Sequence, residues 1–223
     1  MKNLVFVSFV FALSFVSFSQ TPGITERYSL EGQLKIDKGL AFSAPTIRFR
    51  YFHTPNFASR YALNIAQSGN TSFHYQFSDL TGDVGSEKNR AMTATIAIGG
   101  EYHLKGTTKF SPYIGGDLFY GFGVLSKNRT NYDGSNWTIN YASTNKSNYT
   151  VIGMNLVAGG DYYFTQNIYL GVEFGLMWKT TFYHEGIETI TIDNQTAVVK
   201  TPKSSLTTIG SNYMSTLRFG WRF

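Results

Sequence analysis

The side chains best equipped for chemistry fall on one parity of an alternating chain: Glu31, Lys35, Arg48, Arg50, Arg60, Glu101, His103, Asp117, Asp161, Glu173, Lys179, Arg218 and Arg222. They carry both signs in rough balance, the pattern of groups that pair with one another in a narrow space. Glu101 and His103 stand two residues apart, the spacing of a general base with an orienting carboxylate. No nucleophile motif accompanies them, so they are expected to be a mutual contact, with no catalytic residue and no enzyme. His184 and Glu185 are adjacent, but two ligands without a third make a poor metal site. Gly-Gly-acid stretches recur at 98–102, 114–118 and 157–164. No helix follows them to receive a phosphate, so neither a nucleotide nor any other cofactor is expected.

These residues need a scaffold that places every second side chain on one face, which is what a β-strand does. Met92, Ala94, Ile96, Ile98, Gly100, Tyr102 and Leu104 alternate with Thr93, Thr95, Ala97, Gly99, Glu101 and His103. Ile168, Leu170, Val172, Phe174, Leu176 and Trp178 alternate with Tyr169, Gly171, Glu173, Gly175, Met177 and Lys179. The same pattern runs through 112–125 and 149–164, and more weakly through 27–36, 45–53 and 58–66, with a last strand over 212–223. Short connections near 54–57, 105–109 and 165–167 take turns with longer polar ones near 37–43, 67–90, 127–147 and 183–211. In an up-and-down arrangement the short turns collect at one end and the long loops at the other.

Charged residues form only 15% of the 223-residue chain, against roughly 25% in soluble domains, while aromatics reach 17% and 22 glycines are present. The 19 basic residues are scattered singly, which argues against nucleic acid as a partner. With no cysteine, stability must come from pairing and packing. The first residues differ from the rest. Lys2 precedes an uncharged run from Leu4 to Phe18, too short for the ~20 residues of a spanning helix, with small Ser17 and Ser19 before Gln20. This predicts a signal peptide over 1–19 and a single domain over 20–223.

Three features favour an apolar outside over an apolar inside. The charges of the polar parity balance. Tyr102, Tyr162, Phe164 and Trp221 lie near the short turns on the apolar parity, with Trp178, Phe122 and Tyr28 elsewhere along the strands. Glycines on the polar parity leave room for large inward side chains in a barrel of eight strands. The chain ends on Tyr213, Ser215, Leu217, Phe219, Trp221 and Phe223. This ending resembles the closing strand of small Gram-negative outer-membrane barrels of the OmpA-transmembrane-domain, OmpX and OmpW type, found among Bacteroidetes as porin-family proteins.

The resemblance implies an all-β, closed, up-and-down antiparallel transmembrane barrel of about eight strands, with short periplasmic turns and long extracellular loops. It implies outer-membrane localisation, contact with lipid and lipopolysaccharide, and a terminal signal, Leu217, Phe219, Trp221 and Phe223, read by the barrel assembly machinery. The expected function is structural, adhesive or recognitive, with at most a small conductance and an unspecified extracellular partner. The alternatives are a small-solute channel or a lipid-modifying enzyme, the latter requiring a Ser-His constellation facing lipid near the outer rim.

Overall fold

Period-two alternation becomes strand wherever the chain is described. A computed structural model describes residues 26–35, 46–77 and 82–223, with side chains throughout except at 34–35 and 211–216. The expected signal peptide, its cleavage point and the connection at 37–43 lie outside the described residues. The strands are β1 (Tyr28–Lys35), β2 (Thr46–Thr54), β3 (Phe57–Tyr75), β4 (Val84–His103), β5 (Phe110–Tyr132), β6 (Trp137–Tyr163), β7 (Ile168–Tyr183), β8 (Gly186–Ile192), β9 (Gln195–Thr201) and β10 (Ser204–Arg222). All pairings are antiparallel, and β1 to β7 with β10 close a ring in the order β1-β2-β3-β4-β5-β6-β7-β10. The ring is sealed at its terminal seam. The Phe223 amide donates to the Tyr28 carbonyl at 2.8 Å, and the Tyr28 amide donates to that of Phe223 at 2.9 Å.

The three long polar connections expected at 67–90, 127–147 and 183–211 are mostly strand. β3 and β4 stay paired out to Tyr75 and Val84, and β5 and β6 out to Tyr132 and Trp137. Along the last connection, Tyr183 pairs with Ser204 and Gly186 with Thr201, so β7–β8 and β9–β10 form one long hairpin. Its tip is Asp193-Asn194, both in the left-handed region with φ of 47° and 66°, as a two-residue turn matched to strand twist requires. β8 also pairs with the outer part of β6, over Tyr141–Lys146. Beyond the apolar band polar residues occupy both parities of these segments, which weakens the apolar–polar alternation, and backbone pairing continues them as strand.

Inside the ring, bulk on one strand meets glycine on the next. Tyr169 pairs with Gly220, and Tyr113, Phe119 and Tyr149 pair with Gly159, Gly153 and Gly123. A Cβ at any of these glycines would run into the facing ring. In an eight-stranded barrel, whose interior is only wide enough to be filled by side chains, this lets aromatic rings lie flat across the lumen. Gly220→Ala should therefore destabilise the barrel by about 1–3 kcal/mol through overpacking. Gly32 faces outward with nothing within 4 Å of an added Cβ, and Gly32→Ala should shift stability by no more than about 0.5 kcal/mol. Urea unfolding of both variants in lipid vesicles checks the contrast, and equal costs would contradict the packing argument.

Candidate functional site: a charge-filled lumen

Each ring strand delivers a charged side chain inward: Glu31 on β1, Arg48 and Arg50 on β2, Arg60 on β3, Glu101 on β4, Asp117 on β5, Asp161 on β6, Glu173 on β7, and Arg218 and Arg222 on β10. The acids of the three Gly-Gly-acid stretches, Glu101, Asp117 and Asp161, are all among them. The sum is five arginines against five carboxylates, a neutral set. The arginines come from β10, β2 and β3, on one side of the ring, and four of the acids come from β4 to β7 opposite. Their bonds therefore cross the lumen.

Arg48 grips Glu173 with two nitrogens, at 2.9 and 3.1 Å. Arg50 reaches Glu101 at 2.6 Å, Asp161 at 2.8 Å and Glu31 at 2.7 Å. Arg60 bridges Asp117 at 3.0 Å and Glu173 at 3.1 Å. Arg218 pairs with Asp161 and, at 3.1 Å, with Glu31. Two tyrosines complete the acids' shells, Tyr169 donating to Glu31 and Tyr113 to Glu173, each at 2.7 Å. Stacking adds to this: the Arg50 guanidinium lies 4.8 Å from the Tyr169 ring centre, and that of Arg218 lies 5.0 Å from Tyr113. Arg222 stands lower, donating to the Glu26 carbonyl at 2.8 Å over the Phe52 ring.

Lys179 is half-buried on β7 and makes no ion pair with a described residue. It pairs with Gly153 and Thr208, well along the strand from Glu173, so its parity is that of the lumen while its height is above the network. The side chain of Lys35 lies outside the described residues.

The outer face has the opposite chemistry. Leu118 and Leu176 are 64% and 61% exposed, whereas Arg50 and Arg218 are 0% exposed. Outward apolar residues run from Met92 to Tyr102 on β4, from Ile114 to Val124 on β5, from Ile152 to Tyr162 on β6 and from Ile168 to Trp178 on β7. Each run matches the ~9–11 residues with which a tilted strand crosses hydrocarbon. At the short-turn border Tyr28, Tyr102, Tyr162, Phe164, Trp221 and Phe223 are exposed, with Trp221 and Tyr28 packed 4.9 and 5.9 Å from Phe223. Tyr28 thus joins this girdle, a placement its sequence position did not indicate. Charged within, greasy without, and bordered by aromatics at the short-turn end, the wall fits a bilayer and no aqueous setting.

The chain is a transmembrane β-barrel. No known family profile matches it, and no curated protein matches it in sequence. Among solved structures it is similar to a major outer membrane protein from Thermus thermophilus, at 16% identity and a TM-score of 0.45, covering 88% of this chain and 99% of that one. It is also similar to Ail, the attachment invasion locus protein of Yersinia pestis, at 11% identity and a TM-score of 0.37, covering 88% of this chain and 94% of that one.

Two features of the barrel escaped the sequence reading. Beyond the apolar band a second charge cluster lines the inner face of the extended wall, where Glu87 meets Lys127 at 3.1 Å and Arg129 at 2.9 Å, and Arg129 reaches Glu188 at 3.6 Å. Hydrogen bonds from Asn89, Arg129 and Lys127 hold the Glu87 carboxyl down at about 2. The signal was present: Glu87 and Asn89 keep the lumen parity of β4, and Lys127 and Arg129 that of β5, into the long polar stretches. The other feature is Ser111. Its Oγ lies 2.7 Å from His103 Nδ1, while His103 Nε2 lies 3.0 Å from Glu101 Oε1. The turn at 104–109 folds β5 back on β4 and brings the hydroxyl to the histidine, a match that spacing alone did not announce.

Proposed function

We propose that this barrel resides in the outer membrane of a Gram-negative cell as a surface-interaction protein, with its short turns in the periplasm and its long hairpins outside. The observation that carries this reading is the contrast between a plugged lumen and an overbuilt outer wall. The crossing segment is filled by the arginine–carboxylate network, which supports at most a small conductance. Yet β6 runs for 27 residues, roughly 90 Å of extended chain, of which only Ile152 to Tyr162 carries the apolar band. The excess builds a projecting sheet whose last strand, β9, pairs only with β8 among the described residues and is exposed along its whole length. Edge strands of this kind present rows of backbone donors and acceptors that another polypeptide can pair with. Lipid and lipopolysaccharide surround the apolar band, and the alternating Leu217, Phe219, Trp221 and Phe223 serve as the signal for barrel assembly.

Two measurements test the proposal. The purified barrel in planar bilayers should show no steady porin-sized conductance, because the charged layer occludes the lumen. Cells displaying the intact chain should attach to protein-coated surfaces better than cells whose hairpin over 187–200 is replaced by a two-residue turn, at equal amounts of folded barrel. Equal attachment would remove the recognition role, and large steady conductance would replace it with transport.

A further inference from the structure

The network fills the middle of the barrel but stops short of the turn-bearing mouth, where a cavity of about 290 Å³ remains, lined by Phe52, His103, Lys105, Phe110, Ser111, Tyr163 and Arg222 among others. The Ser111, His103 and Glu101 chain ends at this cavity. A carboxylate only accepts hydrogen bonds, so Glu101 obliges His103 Nε2 to carry the proton. In the neutral ring Nδ1 is then an acceptor, and the Ser111 hydroxyl 2.7 Å away donates to it. This is the arrangement that activates a serine: hydroxyl to imidazole, imidazole to a buried acid. Glu101 is 1% exposed and is itself fixed by Arg50 at 2.6 Å, so the ring is held from behind. Ser111 is half-buried and opens on the cavity.

We propose that Ser111 is a nucleophile in the periplasmic mouth and that the barrel hydrolyses small acyl esters there. Ser111 Oγ attacks the acyl carbon while its proton passes to His103 Nδ1. The adduct collapses to an acyl-serine as Nδ1 returns the proton to the departing alcohol. Water, deprotonated by the same nitrogen, then cleaves the acyl-serine, releasing the acid and restoring the hydroxyl. The cavity sits at the lower end of small-molecule pockets, which limits the acyl group to a short chain. Its aromatic lining from Phe52, Phe110 and Tyr163 suits an apolar acyl group. Lys105 and Arg222 line the same cavity, and their positive charge favours esters that also carry a carboxylate or phosphate. Glu101 acts as a positioning residue through His103. This activity is independent of the surface role, which lies at the opposite end of the molecule.

The test uses the folded full-length barrel in detergent, with diisopropyl fluorophosphate as probe, intact-mass and peptide mapping of the adduct, and p-nitrophenyl acetate as substrate. A single adduct is expected on Ser111, together with ester turnover. Ser111→Ala and His103→Gln should each lower turnover by ~100-fold or more, while heat-modifiable gel migration shows the barrel still folded. Glu101→Gln should slow the maximal labelling rate with the half-saturating probe concentration unchanged, as a positioning role requires. An unlabelled folded barrel, an adduct elsewhere than Ser111, or equal labelling of the urea-unfolded chain would each overturn the proposal.

Discussion

Arg50→Met should cost the folded barrel about 3–5 kcal/mol, the penalty for stranding buried charge when one partner of a pair is removed. Arg50 is fully buried and bridges Glu31, Glu101 and Asp161 from three other strands. Without it, the five inward carboxylates face four arginines, and the surplus negative charge sits in a space closed to bulk water. The loss differs from that of a surface ion pair, which is worth at most about 1 kcal/mol. The second substitution Asp161→Asn removes one stranded charge, and Arg50→Met/Asp161→Asn should recover a good part of the loss, a coupling that independent sites would not show. Urea titrations in lipid vesicles, followed by tryptophan fluorescence and gel migration, measure both. A cost near 1 kcal/mol for the single variant would mean that the network is hydrated like a surface.

The mirror experiment is on the outer face. Phe174 and Leu156 are 54% and 55% exposed in the middle of the apolar runs of β7 and β6. Replacing either with Arg should destabilise the barrel by ~2–4 kcal/mol, because the charge must sit in hydrocarbon. Asn155→Gln, next to Leu156 but turned to the lumen, should cost far less. A cysteine at Phe174 in this cysteine-free chain decides what surrounds that face. In liposomes it should resist a water-soluble maleimide, and a fluorophore attached there should be quenched from within the lipid. Free reaction with the aqueous reagent would refute the bilayer assignment.

The two experiments probe the two faces that alternation separates, and those faces were legible because the signal is local. Successive side chains of a strand point opposite ways whatever the rest of the chain does, so Arg48 and Arg50 share a face, as do Phe174 and Leu176, before any fold is known. The turn lengths at 54–57, 105–109 and 165–167 likewise set an up-and-down order with the short turns at one end. Where polar residues stand on both parities the apolar–polar alternation fades. The sequence of 67–75, 84–90 and 186–201 therefore predicts loops, although backbone hydrogen bonds hold them as strand.

Local residue order was thus enough for the class of fold, the number of strands in the ring and which of the described side chains look inward. Which inward groups meet follows from closure of the ring. The contacts of Arg48 with Glu173 and of Arg218 with Asp161 span 125 and 57 residues and depend on the stagger accumulated around the closed ring, which no local pattern encodes. That stagger leaves Lys179 above the network although its parity is right. It also closes the terminal seam at Tyr28 and Phe223. The meeting of Ser111 with His103 rests on the path of one short turn, so a hydroxyl absent from every motif stands in hydrogen-bond contact with the histidine.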